Sequence, residues 1–429
     1  MSNSPEKLFK KASNKHKKGD HAAARLLYQR NLKRYPEHVD SLYMLGTLYA
    51  EQGNLQKAGS YLLQAASRAP RSPMIQNNLG NVYLQSGEYD EAVLCYQKTL
   101  KIDASVIEAN YNLGQAFAQL GKLHEAIGCY EKSVAQQPHY FSAWFSLGKM
   151  ALMLGQYEKA IAAFRKALVI QPNSLLTMHS LGSALAVDEQ KDEAICCYER
   201  LLEIKPEDES AKHALATLKG ERTERAPKGH ISAVFDELSG NFEQHLGELG
   251  YKIPTLIYQS LIEQTSEDVA FKRMLDMGCG TGLAGPLFGK HAEALDGIDL
   301  SANMIELARA KGLYDHLERA DYIEYLQQSD RRYDLMLATD VFIYQGDLKP
   351  VFQGVAESSL ANGWFLFSIE LSEGDDYQLC PTGRYAQSAA YIERLAKEFG
   401  FSVRAERDVT VREEQNRAVP GKIYLLQLE

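Results

Sequence analysis

Seven residues, Asp276-Met277-Gly278-Cys279-Gly280-Thr281-Gly282, carry the densest chemical signal in this sequence. A short apolar run, Met274-Leu275, precedes them, and Leu283-Ala284-Gly285-Pro286-Leu287-Phe288, which can open a helix, follows. A strand, a tight glycine turn and a helix N-terminus gather backbone N–H groups and a helix dipole around a ligand. An acid at the strand end can in turn receive a cation. The combination reads as a nucleotide-type cofactor site.

Glycine spacing narrows the cofactor. A dinucleotide fingerprint needs G-x-G-x-x-G, but counting from Gly278 the third glycine falls on Leu283. An NAD-dependent oxidoreductase is therefore disfavoured. A second marker is Gly297-Ile298-Asp299-Leu300-Ser301, with Met304 after it. Asp299, at a strand end, can accept both hydroxyls of a ribose; its alternative is a helix N-cap. Two further acids follow, in Arg319-Ala320-Asp321-Tyr322 and in Leu337-Ala338-Thr339-Asp340-Val341-Phe342-Ile343-Tyr344. Asp321 also has an N-cap reading, for a helix over 322–328.

Strands alternating with helices must position these acids. The pattern predicts strands near 272–277, 294–299, 316–319, 333–339 and 363–370, with helices near 283–290, 301–312, 321–328, 347–359 and 387–399. Two helices, 231–247 and 254–264, precede the first strand. The last two strands, Phe401–Val411 and Ile423–Leu428, have only a short connection containing Pro420-Gly421. That is too short for a parallel crossover, so the final strand should run antiparallel.

Asp-x-Gly-x-Gly-x-Gly, two Asp-ended strands and a reversed last strand resemble a class I S-adenosylmethionine-dependent methyltransferase over residues 230–429. The resemblance implies S-adenosylmethionine as cofactor and assigns roles. Asp276 faces its amino group, Gly278, Gly280 and Gly282 admit its methionine part, and Asp299, Leu300 and Met304 hold the ribose region. Asp321 accepts from the adenine amino group beside Tyr322. Thr339, Asp340 and Tyr344 end the fourth strand beside the transferring methyl. Phe235-Asp236 through Phe242-Glu-Gln-His245-Leu246, Tyr251-Lys-Ile-Pro254, Gly383-Arg384-Tyr385-Ala386 and Tyr391-Ile392 look like the lid and flanks of a bacterial group joining tetratricopeptide repeats to a methyltransferase. The lid aromatics read either as a shield that excludes water or as packing residues. No catalytic residue is fixed: Asp340, Tyr344 and His245 are candidates, and Glu370 and Tyr385 are further possible proton acceptors. The loop after the fourth strand lacks an Asn/Asp-Pro-Pro-Tyr/Phe signature, and no His/Cys/Asp run has metal spacing, so no metal is expected.

The first half repeats itself every 34 residues. Prolines fall at 36, 70, 138, 172 and 206, with Ala104 in the missing slot. Leu-Gly pairs recur at 45–46, 79–80, 113–114, 147–148 and 181–182, and an aromatic or leucine follows a conserved-phase alanine by four, as in Ala126 and Tyr130. Turn glycines sit at 19, 53, 87, 121 and 155, with Glu189 departing. Each unit reads as two amphipathic helices that approach closely at the small residues and end before proline. One pair cannot bury its own apolar faces, so units stack. The pattern resembles the tetratricopeptide repeat. The expected organisation is two-domain. An all-α superhelix of six repeats plus a capping helix covers 5–219, and a charged linker covers 220–229. An α/β Rossmann-like seven-stranded methyltransferase domain then covers 230–429. Asn78 and Asn112 share one repeat position and are candidates for gripping a protein or peptide partner.

Composition sets the outer limits. The chain has 429 residues and a net charge of −9, which argues against a nucleic-acid or membrane-coating surface. Residues 1–36 nevertheless hold ten Lys/Arg against Glu6 and Asp20, or +8, leaving −17 for the rest. No apolar run approaches the ~18 residues of a membrane span. No signal peptide opens the sequence, and six scattered cysteines without a CxxC pair suit a reducing compartment. A cytoplasmic methyltransferase whose repeats recruit a partner is the leading expectation. The alternative is an adaptor whose methyltransferase-like domain binds cofactor without turnover.

Overall fold

A side chain on Gly114 would put its Cβ 2.6 Å from the Tyr130 ring, and one on Gly148 would come equally close to Phe164. These contacts explain the Leu-Gly repetition, because the first helix of each unit packs its glycine against the aromatic of the second. The computed structural model describes residues 4–248, 250–380, 382–414 and 417–429, and it divides at Cys197/Tyr198 into two units.

In the first unit the helices pair as α1 (Pro5–Lys17) with α2 (His21–Arg34), α3 (Val39–Glu51) with α4 (Leu55–Arg68), and α5 (Pro73–Gln85) with α6 (Tyr89–Ile102). The series continues with α7 (Ile107–Gln119) and α8 (Leu123–Gln136), α9 (Phe141–Met153) and α10 (Tyr157–Ile170), and α11 (Leu175–Val187) and α12 (Lys191–Ile204), the last crossing into the second unit. Asp20 and Asn54 accept from Ala23 and Lys57 N–H groups at the starts of α2 and α4, the role short polar side chains fill best. Glu189 takes the left-handed conformation, φ 60°, that glycine supplies in the other units. Asn78 donates to the Tyr43 hydroxyl at 3.0 Å, and Asn112 donates to Asn81 Oδ1 at 3.0 Å. Both asparagines therefore bridge neighbouring repeats.

Replacing Gly114 by Ala forces the Tyr130 ring aside in a filled core. Overpacking of this kind costs about 1–3 kcal/mol. Urea unfolding followed by circular dichroism is expected to show that loss, and an unchanged midpoint would refute the close-approach account.

The second unit begins inside α12 and continues through α13 (Glu209–Lys219), α14 (Lys228–Leu238), α15 (Phe242–Glu248) and α16 (Ile253–Gln264). The single helix expected over 231–247 is divided by one 3-10 turn, Ser239–Asn241. Then come β1 (Phe271–Met277), α17 (Gly285–Phe288), β2 (Ala292–Asp299), α18 (Ala302–Lys311), β3 (His316–Arg319), α19 (Tyr322–Gln328) and β4 (Tyr333–Ala338). The chain finishes with α20 (Lys349–Ser358), β5 (Ser359–Glu370), β6 (Tyr377–Leu379), β7 (Tyr385–Gln387), α21 (Ala389–Glu398), β8 (Phe401–Glu414) and β9 (Arg417–Leu428). Seven strands form one sheet in the order β3-β2-β1-β4-β5-β9-β8. β1 to β5 pair in parallel, and β9 runs antiparallel to both neighbours.

Strand alternation feeds two cores. Met336, Ala338, Phe365 and Phe367 face one side with Phe352 and Tyr424, while Leu335, Leu337, Trp364 and Leu366 face the other with Ile257 and Phe288. No helix among the described residues is long and apolar enough to cross a membrane.

Residues 220–229, read from composition as a linker, are tied to the sheet unit from Arg222 to Ala226. Arg222 pairs with Asp376 at 3.0 Å and lies over the Tyr377 ring at 4.1 Å. The Glu224 carbonyl accepts from Gly346 and Asp347 N–H groups at 2.8 and 3.0 Å, and Ala226 donates to the Tyr344 carbonyl at 3.0 Å. Upstream, α13 joins the same surface, with His213 Nε2 3.0 Å from the Gly383 carbonyl.

Candidate functional site

β1 has β2 on one side and β4 on the other, so the chain leaves their C-terminal ends in opposite directions. The crevice at such a switch point is where ligands bind in open parallel sheets. Here it opens into a cavity of about 160 Å³, bordered by the glycine loop, the ends of β2 and β4, and aromatic side chains of α14 and α15.

Asp276, the penultimate residue of β1, has 2% of its surface exposed. Tyr314 donates its hydroxyl to Oδ2 at 2.7 Å, whereas Oδ1 is buried with no hydrogen-bond partner. Burial, only partly offset by that tyrosine, pushes the carboxyl up to about 7. The loop then turns through three left-handed glycines, Gly278 at φ 71°, Gly280 at 54° and Gly282 at 83°. A Cβ on Gly278 would meet Val341 at 2.6 Å, while one on Gly280 would find only Phe242, at 3.8 Å. Gly280 thus leaves open space on the cavity side.

Asp299 ends β2 and locks this loop. Its Oδ2 accepts from the Gly280 N–H at 2.9 Å and its Oδ1 from the Ser301 N–H at 2.8 Å. The N-cap of α18 is Ser301, which accepts from Met304 N–H, so the N-cap alternative for Asp299 is filled by its neighbour. Across the cavity, Asp340 sits at φ 58° and donates its N–H to Ser368 Oγ at 2.9 Å. A left-handed aspartate at a strand end costs of order 1–3 kcal/mol and marks a position held by its surroundings. Arg412 of β8 reaches the same wall, 2.5 Å from Glu370 and 3.9 Å from Asp340.

Helices α14 and α15 cover the crevice. Glu243 accepts from Thr281 Oγ1 at 2.7 Å and pairs with Lys311 at 2.6 Å, contacts that hold its carboxyl below the usual range. Phe235 packs edge-on against Phe242 and Tyr344.

Of the residues singled out in the sequence, Gly278, Gly280, Asp299, Leu300, Tyr322, Thr339, Asp340 and Tyr344 border the cavity together. Asp276 stands behind the loop, and Gly282 faces Tyr314. Met304 is fully buried in α18. Asp321 is directed elsewhere: it caps α19 through the Glu324 N–H at 3.2 Å and holds Arg225 and Lys228. Those cations keep its carboxyl below the ordinary range despite burial. Tyr385 is bonded to Thr223, and Glu370 to Arg412. The His245 side chain lies outside the described residues. Arg412 was missed because an arginine in a strand normally reads as solvent-facing.

One spatial cluster departs from the expectation of no metal grouping. His16, His21 and Glu51 bring their ligand atoms within 4.8 Å of one another in the first unit, with His16 Nε2 bonded to Glu51 at 3.0 Å. Linear spacing hid it, since Glu51 comes from the next repeat.

Comparison with known families gives matches on both halves. The tetratricopeptide repeat family matches residues 9–73 and 111–174, a second TPR repeat family matches 80–121, and a methyltransferase domain family matches 251–406. The chain joins tetratricopeptide repeats to a methyltransferase domain. Within the methyltransferase half, the ubiquinone biosynthesis O-methyltransferase of Bordetella pertussis is 29% identical over 111 residues, 25% of this chain and 46% of that protein. The malonyl-[acyl-carrier protein] O-methyltransferase of Hamiltonella defensa is 26% identical over 175 residues, 40% of this chain and 64% of that protein. The chain spans about half the length of the ubiquinone biosynthesis relatives it matches. A crystal structure of MamA aligns with 38% of this chain and 94% of its own at 27% identity, with a TM-score of 0.37.

Proposed function

We propose that this tetratricopeptide-methyltransferase chain is an S-adenosylmethionine-dependent O-methyltransferase whose repeat groove recruits a protein or peptide partner. The observation that carries the cofactor is the buried Asp276 Oδ1, which lacks any partner beside a glycine loop locked by Asp299. An orphaned buried acceptor is costly; since Asp276 stands behind the loop and not in the cavity wall, a ligand ammonium satisfies it only after the glycine turn yields. Asp276 takes the amino group, Gly278 and Gly280 give the methionine part room, and Asp299 receives ribose hydroxyls. Leu300 and Tyr322 flank the base. Asp321 serves the adenine amino group only after yielding part of its hold on Arg225 and Lys228. Asn78 and Asn112, their amide nitrogens fixed by adjacent repeats, face peptide recruitment with a preset orientation. The oxygen acceptor follows the names of the curated relatives.

The bound cofactor supplies an electrophilic methyl group on a sulfonium. The chain's own contribution is alignment and exclusion of water, which matter most in a direct displacement. Phe235, Phe242 and Tyr344 supply the apolar cover, and Asp340 and Tyr344 border the acceptor side.

Calorimetric titration with S-adenosylhomocysteine tests this reading, and no binding by the wild-type chain rules it out. The titration also has an expected pH dependence. Free Asp276 keeps its proton below about 7, while the ligand's ammonium selects the ionised carboxylate, so affinity falls as pH falls through that value. One pH unit below the pKa costs about tenfold. Binding at pH 6 should be about tenfold weaker than at pH 8, and Asp276→Asn should flatten the profile.

A further inference from the structure

We propose that the junction between the first two repeats binds one late first-row divalent metal ion, of the kind zinc represents, through His16, His21 and Glu51. His16 lies in the last turn of α1 and His21 is the first residue of α2, so one turn presents both rings. Backbone contacts fix that turn. Gly19, at φ 76°, donates to the His16 carbonyl at 2.9 Å, and Asp20 donates to the Lys15 carbonyl at 3.0 Å. The Lys15 ammonium closes on the Asp20 carboxylate at 2.8 Å. Glu51, the last residue of α3, completes the site from the second repeat. His16 Nε2 stands 3.0 Å and His21 Nδ1 3.9 Å from the same carboxylate oxygen, and the three ligand atoms lie within 4.8 Å of one another. Ligand atoms about 2.0–2.1 Å from a tetrahedral ion are about 3.3 Å apart. The His21 and Glu51 side chains are open to solvent, which leaves them room for the remaining adjustment.

The repeat fold does not ask for these side chains. At the phase of His16 the later units carry Ala50, Leu84, Ala118, Leu152 and Ala186. At the phase of His21 they carry Leu55, Tyr89, Leu123, Tyr157 and Lys191. Two imidazoles thus stand where the other units place mainly apolar packing. The His16 side chain is 10% exposed, its ring set edge-on to the buried Tyr28 at 6.1 Å. Its Nδ1 is buried with no hydrogen-bond partner, which leaves Nε2 as the ring's polar outlet, and that outlet faces Glu51. Two imidazoles and one carboxylate suit zinc, nickel or copper, whereas magnesium and calcium take oxygen ligands. Three protein ligands leave a fourth position for water. Because Glu51 belongs to the second repeat, the ion ties the terminal repeat to its neighbour, and its binding free energy adds to the stability of that end of the array.

Zinc chloride is the probe, titrated by calorimetry into the full chain, free of any histidine tag and stripped with chelator. One ion per chain at micromolar affinity or tighter is the expected result, with slower hydrogen exchange at α1 and α2 once zinc is bound. His21→Ala and Glu51→Gln change solvent-open side chains and should leave circular dichroism unaltered. Each should weaken zinc binding at least about tenfold, the loss that removing even an outer-shell partner brings. Thiols are the competing ligands, since Cys196 is exposed beside Cys197. Cys196→Ser should therefore keep the affinity. Cobalt(II) bound in place of zinc should show visible d–d bands without a strong sulfur-to-metal band in the near ultraviolet. Zinc affinity weaker than micromolar, equal affinity in wild type and His21→Ala, or a thiolate spectrum overturns the site. Binding that depends on His21 yet leaves hydrogen exchange of α1 and α2 unchanged overturns the tie between the repeats.

Discussion

Asp299→Ala should weaken S-adenosylhomocysteine binding at least about 100-fold in calorimetric titration, a loss of about 3 kcal/mol or more. Two effects combine at this one carboxylate. It accepts the Gly280 and Ser301 N–H groups, so truncation leaves two backbone donors without their partner and releases the loop that shapes the cavity. Hydrogen bonds to charged groups contribute about 1.5–3 kcal/mol each. The ribose hydroxyls assigned to the same carboxylate lose their acceptor as well. Asp299→Asn keeps the shape and one acceptor oxygen, so it should fall between wild type and alanine. An affinity for Asp299→Ala within threefold of wild type would show that neither effect operates.

Arg412→Ala should be the most destabilising single change at this site. Glu370 is 6% exposed and pairs with Arg412 at 2.5 Å, so removing the guanidinium strands a buried carboxylate. Breaking one side of such a pair costs about 3–5 kcal/mol. For a unit of this size each kcal/mol lowers the melting temperature by about 2–4 °C, and thermal melts should drop by about 10 °C. The double replacement Arg412→Leu with Glu370→Leu removes both charges and should recover much of the loss. A melting temperature for Arg412→Ala within 2 °C of wild type would mean that Glu370 finds another compensation.

The repeats and the sheet were legible because their signals are periodic. Leu-Gly at a fixed phase encodes one helix-to-helix contact over and over, and Gly114 against Tyr130 is that contact in space. The reversed β9 followed from chain length alone, since a short connection after Phe401–Val411 permits only an antiparallel return. The β6–β7 hairpin was not foreseen because three-residue strands are too short to show alternation. At the site, Asp276 and Asp299 stand out in the sequence by ending apolar runs next to glycines. Asp321 carries the same signature, yet its carboxylate faces Arg225, a residue far away in the chain. Arg412 is equally invisible, because its partner Glu370 ends another strand and only the folded sheet brings the two together.

The stitching of α13 and residues 222–226 onto the sheet unit has a consequence for how this architecture can be recombined. His213 meets Gly383, Thr223 meets Tyr385, and Glu224 receives Gly346 and Asp347. An exchange of one repeat array for another therefore keeps these contacts when the cut is made before α13 and loses the His213 contact when it is made near Gly220. A chimera that replaces everything up to Gly220 discards the helix that braces the turn carrying Arg384, a residue that borders the cavity. One that keeps residues from α13 onward keeps that brace.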